Sequence, residues 1–306
     1  MIKTGILGAD SPDSGELIRI LAMHPDVELV AAQARGLEGQ SLSSVHHGLI
    51  GETDLSFTAS IDYSKLDVLY IVGEGPALAE INQLRLNRPD LKIIMLGNKD
   101  IDCDKENVVY GFPELNRKLL VRGATCAAVP ATFASMALVA LLPFAENLLL
   151  RGDIEIHIDA PRQLIDQTNL DAVAREIQKQ LHNVQLSFDG KIKFTVTTSE
   201  ARRSALMTLE FDGALDRGQV VELYDRYDDH RFAFVTTTEV GVSEVAGTNK
   251  CIVSVLKAAD NRIRLQSAAD CRLRGGAGEA VHIMNLMCGL HEKTGLHLKA
   301  IDYTRI

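Results

Sequence analysis

Short aliphatic runs alternate with helix-spaced segments through the first third of this chain. Residues 2–7, 27–32, 68–72 and 91–96 read as buried strands, and residues 15–23 carry apolar positions at helical spacing. Regular alternation of this kind predicts a parallel sheet covered by helices, with residues 2–32 forming one right-handed β-α-β unit. Residues 130–150 are apolar and rich in Ala and Leu, which predicts a long buried helix that Pro143 should kink or end. Beyond it the texture changes. Residues 153–159 alternate polar side chains with Ile, and 171–181 form an amphipathic helix whose stripe is Leu170, Val173, Ile177 and Leu181. Residues 192–197, 206–211, 252–256 and 263–266 add strands, the last two joined by a hairpin at Asp260-Asn261. A Gly-led helix over 276–290, carrying Ala280, Val281, Met284, Leu286 and Met287, is expected to return to the first domain.

The length of 306 residues fits two domains. The texture places them at 1–129 and 130–275, with 276–306 as a helix and tail packing back on the first. Hydrophobic residues at 46% and charged residues at 24% are those of a soluble globular protein, and with no Trp the core must be mainly aliphatic. Forty-one acidic against 32 basic side chains give a net charge of -9, which argues against a general nucleic-acid surface. The longest apolar run, 136–145, is too short to cross a bilayer, and the first residues lack a signal-peptide layout. Five cysteines stand far apart with no C-x-x-C pair, so reduced thiols in the cytoplasm and no metal site are expected.

Between the first strand and first helix lie Gly5, Gly8, Ser11, Pro12 and Gly15. An open parallel sheet binds a dinucleotide there, because the helix N-terminus faces the pyrophosphate. This makes the first domain Rossmann-type and the fold α/β, with a second α+β domain built on a mainly antiparallel sheet. The fingerprint needs glycine where backbone approaches phosphate, yet Ser11 holds the next such position and Pro12 removes an N–H. Arg35 follows the second strand, where a cation can meet a 2'-phosphate. Two readings stay open: weak NADP binding, or a turn that is purely structural.

The segment Tyr110-Gly111-Phe112-Pro113-Glu114-Leu115-Asn116-Arg117 resembles the Y-G-x-P-E-L-N-R signature of the N-acetyl-γ-glutamyl-phosphate reductase family. Residues 15–21 resemble the start of that family's first helix, and 48–55 its following loop. Residues 270–286, including Arg274, Gly278 and Met284-Asn285-Leu286, resemble its D-N-L-x-K-G-A-x-G-Q-A-V…M-N-L segment. The resemblance implies a semialdehyde-dehydrogenase-like architecture and NADP-dependent reduction of an acyl phosphate through a cysteine thioester. It also implies a histidine for the acid-base steps and assembly through the second domain's sheet, hence a dimer or tetramer.

The same resemblance locates what is missing. Thr132 occupies the nucleophile position of the P-G-C-[YF] motif, with Ala131 for its glycine; Asp171 and Val173 occupy the histidine positions before Glu176-Ile177. A threonine hydroxyl is a far weaker nucleophile than a thiolate, and its ester a poorer hydride acceptor than a thioester. Cys126, His157 and His182 match no part of the motif and read as ordinary structural residues. The stretch 159–168 is too short for the family's substrate loop. Glu74-Gly75 replaces a His-Gly pair, residues 95–101 depart from the D-L-S pattern, and Cys271 replaces an asparagine. Three hypotheses follow: a scaffold without reductase chemistry, alone or associated with an authentic reductase; a reductase with altered substrate or cofactor use; and a module that binds a small anion. For the last, Arg162, Arg202, Arg203, Arg272 and Arg274 are the candidates, of which Arg203 and Arg274 match basic family positions.

Overall fold

The computed structural model describes residues 1–97, 103 and 107–301. The described residues form two six-stranded sheets, each in its own unit of the chain.

The first unit takes Met1–Pro130 and Gly276–His297. Its elements run β1 (Ile2–Leu7), α1 (Pro12–Ala22), β2 (Val27–Gln33), β3 (Val68–Val72), α2 (Leu78–Asn87), β4 (Lys92–Leu96), β5 (Val109–Tyr110), α3 (Pro113–Val121) and β6 (Cys126–Ala128). The sheet order is β2-β1-β3-β4-β6-β5, every joint parallel. All five residues of β3 are buried, as a strand covered on both faces requires. The chain reverses its direction of travel across the sheet at β1, so the carboxyl edge between β1 and β3 is the topological switch point. Helix α1 begins three residues earlier than its apolar spacing predicts. Ser11 is its N-cap and Pro12 its first residue, an arrangement in which the missing N–H costs nothing.

The second unit takes Ala131–Gly275 with the tail from Leu298. It contains α4 (Thr132–Glu146), β7 (Ile154–Pro161), α5 (Arg162–Asp166), α6 (Leu170–Val184), β8 (Ile192–Ser199), β9 (Ser204–Asp212), α7 (Arg217–Glu222), β10 (Ala233–Thr236), β11 (Cys251–Ala259) and β12 (Arg262–Asp270). The order is β10-β11-β12-β9-β7-β8. The three inner joints are antiparallel and the two outer ones parallel, so the sheet is mixed. Asp260 and Asn261, both at φ 57°, turn the β11–β12 hairpin as expected. Strand β10 has only four residues, too few for alternation to reveal it. The predicted stripe of α6 faces inward through Val173, Ile177 and Leu181, and the helix packs on α4.

Helix α4 corrects one expectation. It runs through Pro143 to Glu146, with every residue from Phe133 to Ala145 buried. A proline at 143 cannot donate to the Val139 carbonyl, four residues back, and its ring crowds that turn. One tyrosine compensates, and a second adds a donor to the next carbonyl. The Tyr227 hydroxyl donates to Val139 O at 2.9 Å and the Tyr224 hydroxyl to Ala140 O at 2.6 Å. Tyr224 also sets its ring edge-on to Phe144, which meets Phe211 in a second T-shaped contact.

The last helix, α8 (Ala277–Met287), is buried throughout, packs on α1, α3 and β4, and belongs to the first unit. No two of the five cysteines form a disulfide. Among the described residues no helix is long and apolar enough to cross a membrane.

Candidate functional site

At the switch point of the first unit, most of the backbone is already engaged. Gly8 N and Ala9 N both donate to Gln33 O, at 3.0 and 2.9 Å, and Gly15 N donates to Ser11 O at 3.0 Å. Ser11 Oγ accepts from Ser14 N at 3.1 Å, while Ser14 Oγ donates to Ser11 O at 2.7 Å. Ser11 is therefore a helix cap. The glycines read as cofactor-binding have protein neighbours that explain them. A Cβ on Gly8, at φ 78°, would lie 2.2 Å from Val72 O. On Gly75, at φ 61°, it would meet Ile71 Cγ2 at 2.3 Å, and on Gly5 Leu66 Cδ1 at 2.7 Å. On Gly15 it would sit 2.5 Å from Nδ1 of His46, whose Nε2 lies 2.7 Å from Ala9 O. His46 is the residue that sequence reasoning missed. Its partner is a main-chain carbonyl 37 residues away, which no motif signals. Gly278 lies buried within α8. Arg35 is exposed beyond β2 and makes no ion pair with a described residue; Glu74 is exposed beside Gly75. Of the departing segment 95–101, residues 98–101 lie outside the described residues.

The family-like signature of the first unit is spent on structure. Asn116 Nδ2 donates to Tyr110 O at 2.9 Å, and Gly111 passes where a Cβ would come 2.7 Å from Ala128 O. Arg117 pairs with Glu292 at 2.7 Å, and Glu292 also meets His282 Nε2 at 2.9 Å. Burial raises the Glu292 pKa, but the hydrogen bond and charge of His282, then those of Arg117, outweigh it and hold the carboxyl down at about 2.

In the second unit Thr132 is the first residue of α4. Its hydroxyl faces two carbonyls, Cys271 O at 3.3 Å and Gly275 O at 3.4 Å. Gly275 sits at φ 63°, and a Cβ there would come 2.4 Å from Thr132 Cα. The preceding Ala131 N donates to Glu176 Oε1 at 3.2 Å, a carboxylate placed where the helix dipole favours it. The loop that carries Cys271 is organised by the buried Asp270 carboxylate. It accepts from Gly247 N at 2.7 Å, from Arg272 N at 2.9 Å and from Arg203 Nε. Arg274 is fully buried and donates Nε to Ser135 Oγ at 2.7 Å. Arg203 and Arg274 thus have internal partners, Asp270 and Ser135. Arg162 and Arg202 are exposed, and Arg272 is half-buried.

The remaining candidates are dispersed. His157 meets Thr195 Oγ1 and Thr197 Oγ1 at 2.9 and 3.1 Å on the sheet, and His182 Nδ1 lies 3.0 Å from Phe188 O. Asp171 is exposed in the first turn of α6, while Val173 is buried below it. Burial, then the charge of Asp270, pushes the Cys271 thiol far up; burial takes Cys126, in the first unit, up to about 11. Both stay protonated near neutrality and lack nucleophilic character. Among the described residues no group of three or more His, Cys, Asp or Glu side chains is placed to hold a metal ion.

No protein-family model matches this chain. Whole-length relatives do. It is 31% identical to the N-acetyl-gamma-glutamyl-phosphate reductase of Parabacteroides distasonis over 320 residues, covering 98% of this chain and 99% of the relative. It is 33% identical to the reductase of the same name from Flavobacterium johnsoniae over 326 residues, with the same coverage of each. The chain belongs to the N-acetyl-γ-glutamyl-phosphate reductase family. The fold agrees with that assignment. Aspartate semialdehyde dehydrogenase II from Vibrio cholerae, in complex with ASA, superposes with a TM-score of 0.68 at 14% identity, covering 94% of this chain and 98% of that one. The Candida albicans aspartate semialdehyde dehydrogenase with NADP gives 0.64 at 12% identity, covering 94% and 98%.

At the first residue of α4, Thr132 presents a hydroxyl whose hydrogen-bond partners are two main-chain acceptors. The residues around the β1–α1 turn fit a bound NADP poorly, since Gly8 and Ala9 N–H are held by Gln33 O, Ser14 N–H by the Ser11 side chain, and Pro12 has no N–H.

Proposed function

We propose that this chain keeps the reductase scaffold and has lost the reductase reaction. The observation that carries the reading is the setting of Thr132. Its hydroxyl points at carbonyl acceptors, and no imidazole is among its hydrogen-bond partners. Attack on an acyl phosphate would need a base to take the hydroxyl proton, and two carbonyls are acceptors that cannot hold a full proton near neutrality. The positions where the family motif carries histidine hold an exposed carboxylate, Asp171, and a buried alkyl group, Val173. What such a scaffold retains is its capacity to assemble. Its role is association with itself through the second unit's sheet, or with an active reductase, in the cytoplasm.

The direct test is the oxidative direction, with N-acetylglutamate 5-semialdehyde, NADP and phosphate. The expected result is no NADPH absorbance above a blank lacking protein. Turnover that disappears in Thr132→Ala would overturn the reading and restore that of a reductase with altered chemistry. Light scattering of the purified chain, alone and mixed with an active family member, reads the assembly. A monomer in both samples removes the proposed role.

A further inference from the structure

We infer that the β1–α1 turn has become a self-capped helix start that does not take NADP(H), and that Ser11, Pro12 and Asp13 are the residues that exclude it. The inference deepens the reading above, since a scaffold without chemistry could still hold its cofactor. A pyrophosphate at a switch point is held by backbone N–H groups and the positive end of the following helix. Accounting for the N–H groups from Gly8 to Gly15 leaves few for that task. Gly8 and Ala9 donate to Gln33 O, Ser14 donates to the Ser11 side chain, and Pro12 has none, while Gly15 N makes the first ordinary intrahelical bond, to Ser11 O. Only Asp10, Ser11 and Asp13 are not covered by these bonds, and two of the three carry a carboxylate. Asp13 stands in the first turn of α1, where its charge compensates the helix dipole that a phosphate would otherwise use. Glu74, exposed on the loop after the neighbouring strand β3, adds negative charge on the same edge of the sheet, where Arg35 beyond β2 is an exposed cation.

The glycines sharpen the point. Gly8, at φ 78° against Val72 O, and Gly75, at φ 61°, are required by the backbone, while Gly5 and Gly15 face the side chains of Leu66 and His46. Each therefore has a neighbour within the protein, with the backbone itself the obstacle at Gly8. At position 11, the place where a ligand would ask for glycine, the chain has Ser and uses its side chain on itself. A serine cap is also compatible with restoration, because exchanging a cap serine for glycine costs a helix only a few tenths of a kcal/mol.

Isothermal titration of the full chain with NADPH is the test, beside the variant Ser11→Gly/Pro12→Ala/Asp13→Ala and the single variant Asp13→Asn. The wild type should show no saturation up to about 1 mM, while the triple variant gains at least about tenfold, through a returned N–H and a removed charge. Asp13→Asn, which preserves shape, should move in the same direction even if the triple variant does not fold. Micromolar binding by the wild type overturns the inference. Failure of every folded variant to bind overturns the assignment to these residues. Wild-type binding without turnover would leave the proposed loss of chemistry standing, and turnover dependent on Thr132 would sink that reading in its own assay.

Discussion

Replacing Tyr227 with Phe removes one oxygen from the second unit, and Pro143 fixes what that oxygen is worth. Val139 O lies four residues before the proline, so helix α4 supplies it no N–H, and the Tyr227 hydroxyl at 2.9 Å takes that place. Tyr227 is 4% exposed, so water cannot substitute freely once the hydroxyl is gone. A buried carbonyl left without a partner costs about 1–3 kcal/mol, against about 1 kcal/mol for an ordinary hydrogen bond that has a second donor nearby. Changing Pro143 to Ala returns that second donor, because residue 143 then bonds Val139 O within the helix. Tyr227→Phe should therefore cost about 2 kcal/mol in the native background and about 1 kcal/mol or less beside Pro143→Ala, a coupling of roughly 1 kcal/mol. Urea denaturation of the four proteins of this cycle measures it, followed by a probe of the second unit because the chain has two folding units. Equal costs in both backgrounds would refute the account, and so would a neutral Tyr227→Phe. The consequence reaches the candidate site, since the same helix presents Thr132 at its first residue.

Gly275→Ala should destabilise the second unit by more than about 2 kcal/mol, since φ 63° and a Cβ 2.4 Å from Thr132 Cα leave the chain no local escape; a shift in urea midpoint reads it. Glu292 should make the first unit acid-sensitive. Its folded pKa of about 2 lies below the ordinary 4.5, so its contribution is complete above pH 4.5 and is lost as pH falls towards 2. The amount is roughly 3 kcal/mol at most, and Glu292→Gln should flatten the dependence of urea midpoint on pH across that window. Thr132→Cys alone should give no NADPH formation from the aldehyde, because Asp171 and Val173 still supply no imidazole; clear turnover by that single variant would contradict the role assigned to the missing histidine.

How much of this was legible in the sequence depends on the range of the interaction. The strands β3 and β4 were readable because each is a short apolar run buried on both faces, β1 and β2 because aliphatic residues outnumber their few polar ones, and α6 because its stripe repeats along one short segment. Pro143 misled because the remedy for its missing N–H lies in Tyr227, more than eighty residues away. The partners of Arg203 and Arg274 were hidden in the same way. A positive charge in sequence cannot announce that a buried Asp270 or Ser135 will receive it. Position 132 was legible because a motif fixes it locally, while the carbonyls of Cys271 and Gly275 that receive its hydroxyl were not.

The glycines show why a matched motif can still be a poor guide to binding. A glycine is demanded wherever a Cβ would collide, whether the obstacle is a ligand or the protein itself, and the sequence records only the demand. Gly8 answers to the carbonyl of Val72, and Gly15 to the ring of His46. Both would persist in a chain that never met a dinucleotide. The discriminating positions are those where the protein leaves room and only a ligand would object, and the chain fills such a position with the Ser11 cap. Thr132 obeys the same logic from the other side. Gly275 is needed to let the backbone of residue 132 pass, whichever side chain that residue carries, so the loop's shape does not depend on the chemistry at that position. Scaffold and chemistry are held by different atoms of the same residues, and the fold of a reductase therefore does not by itself carry the reaction.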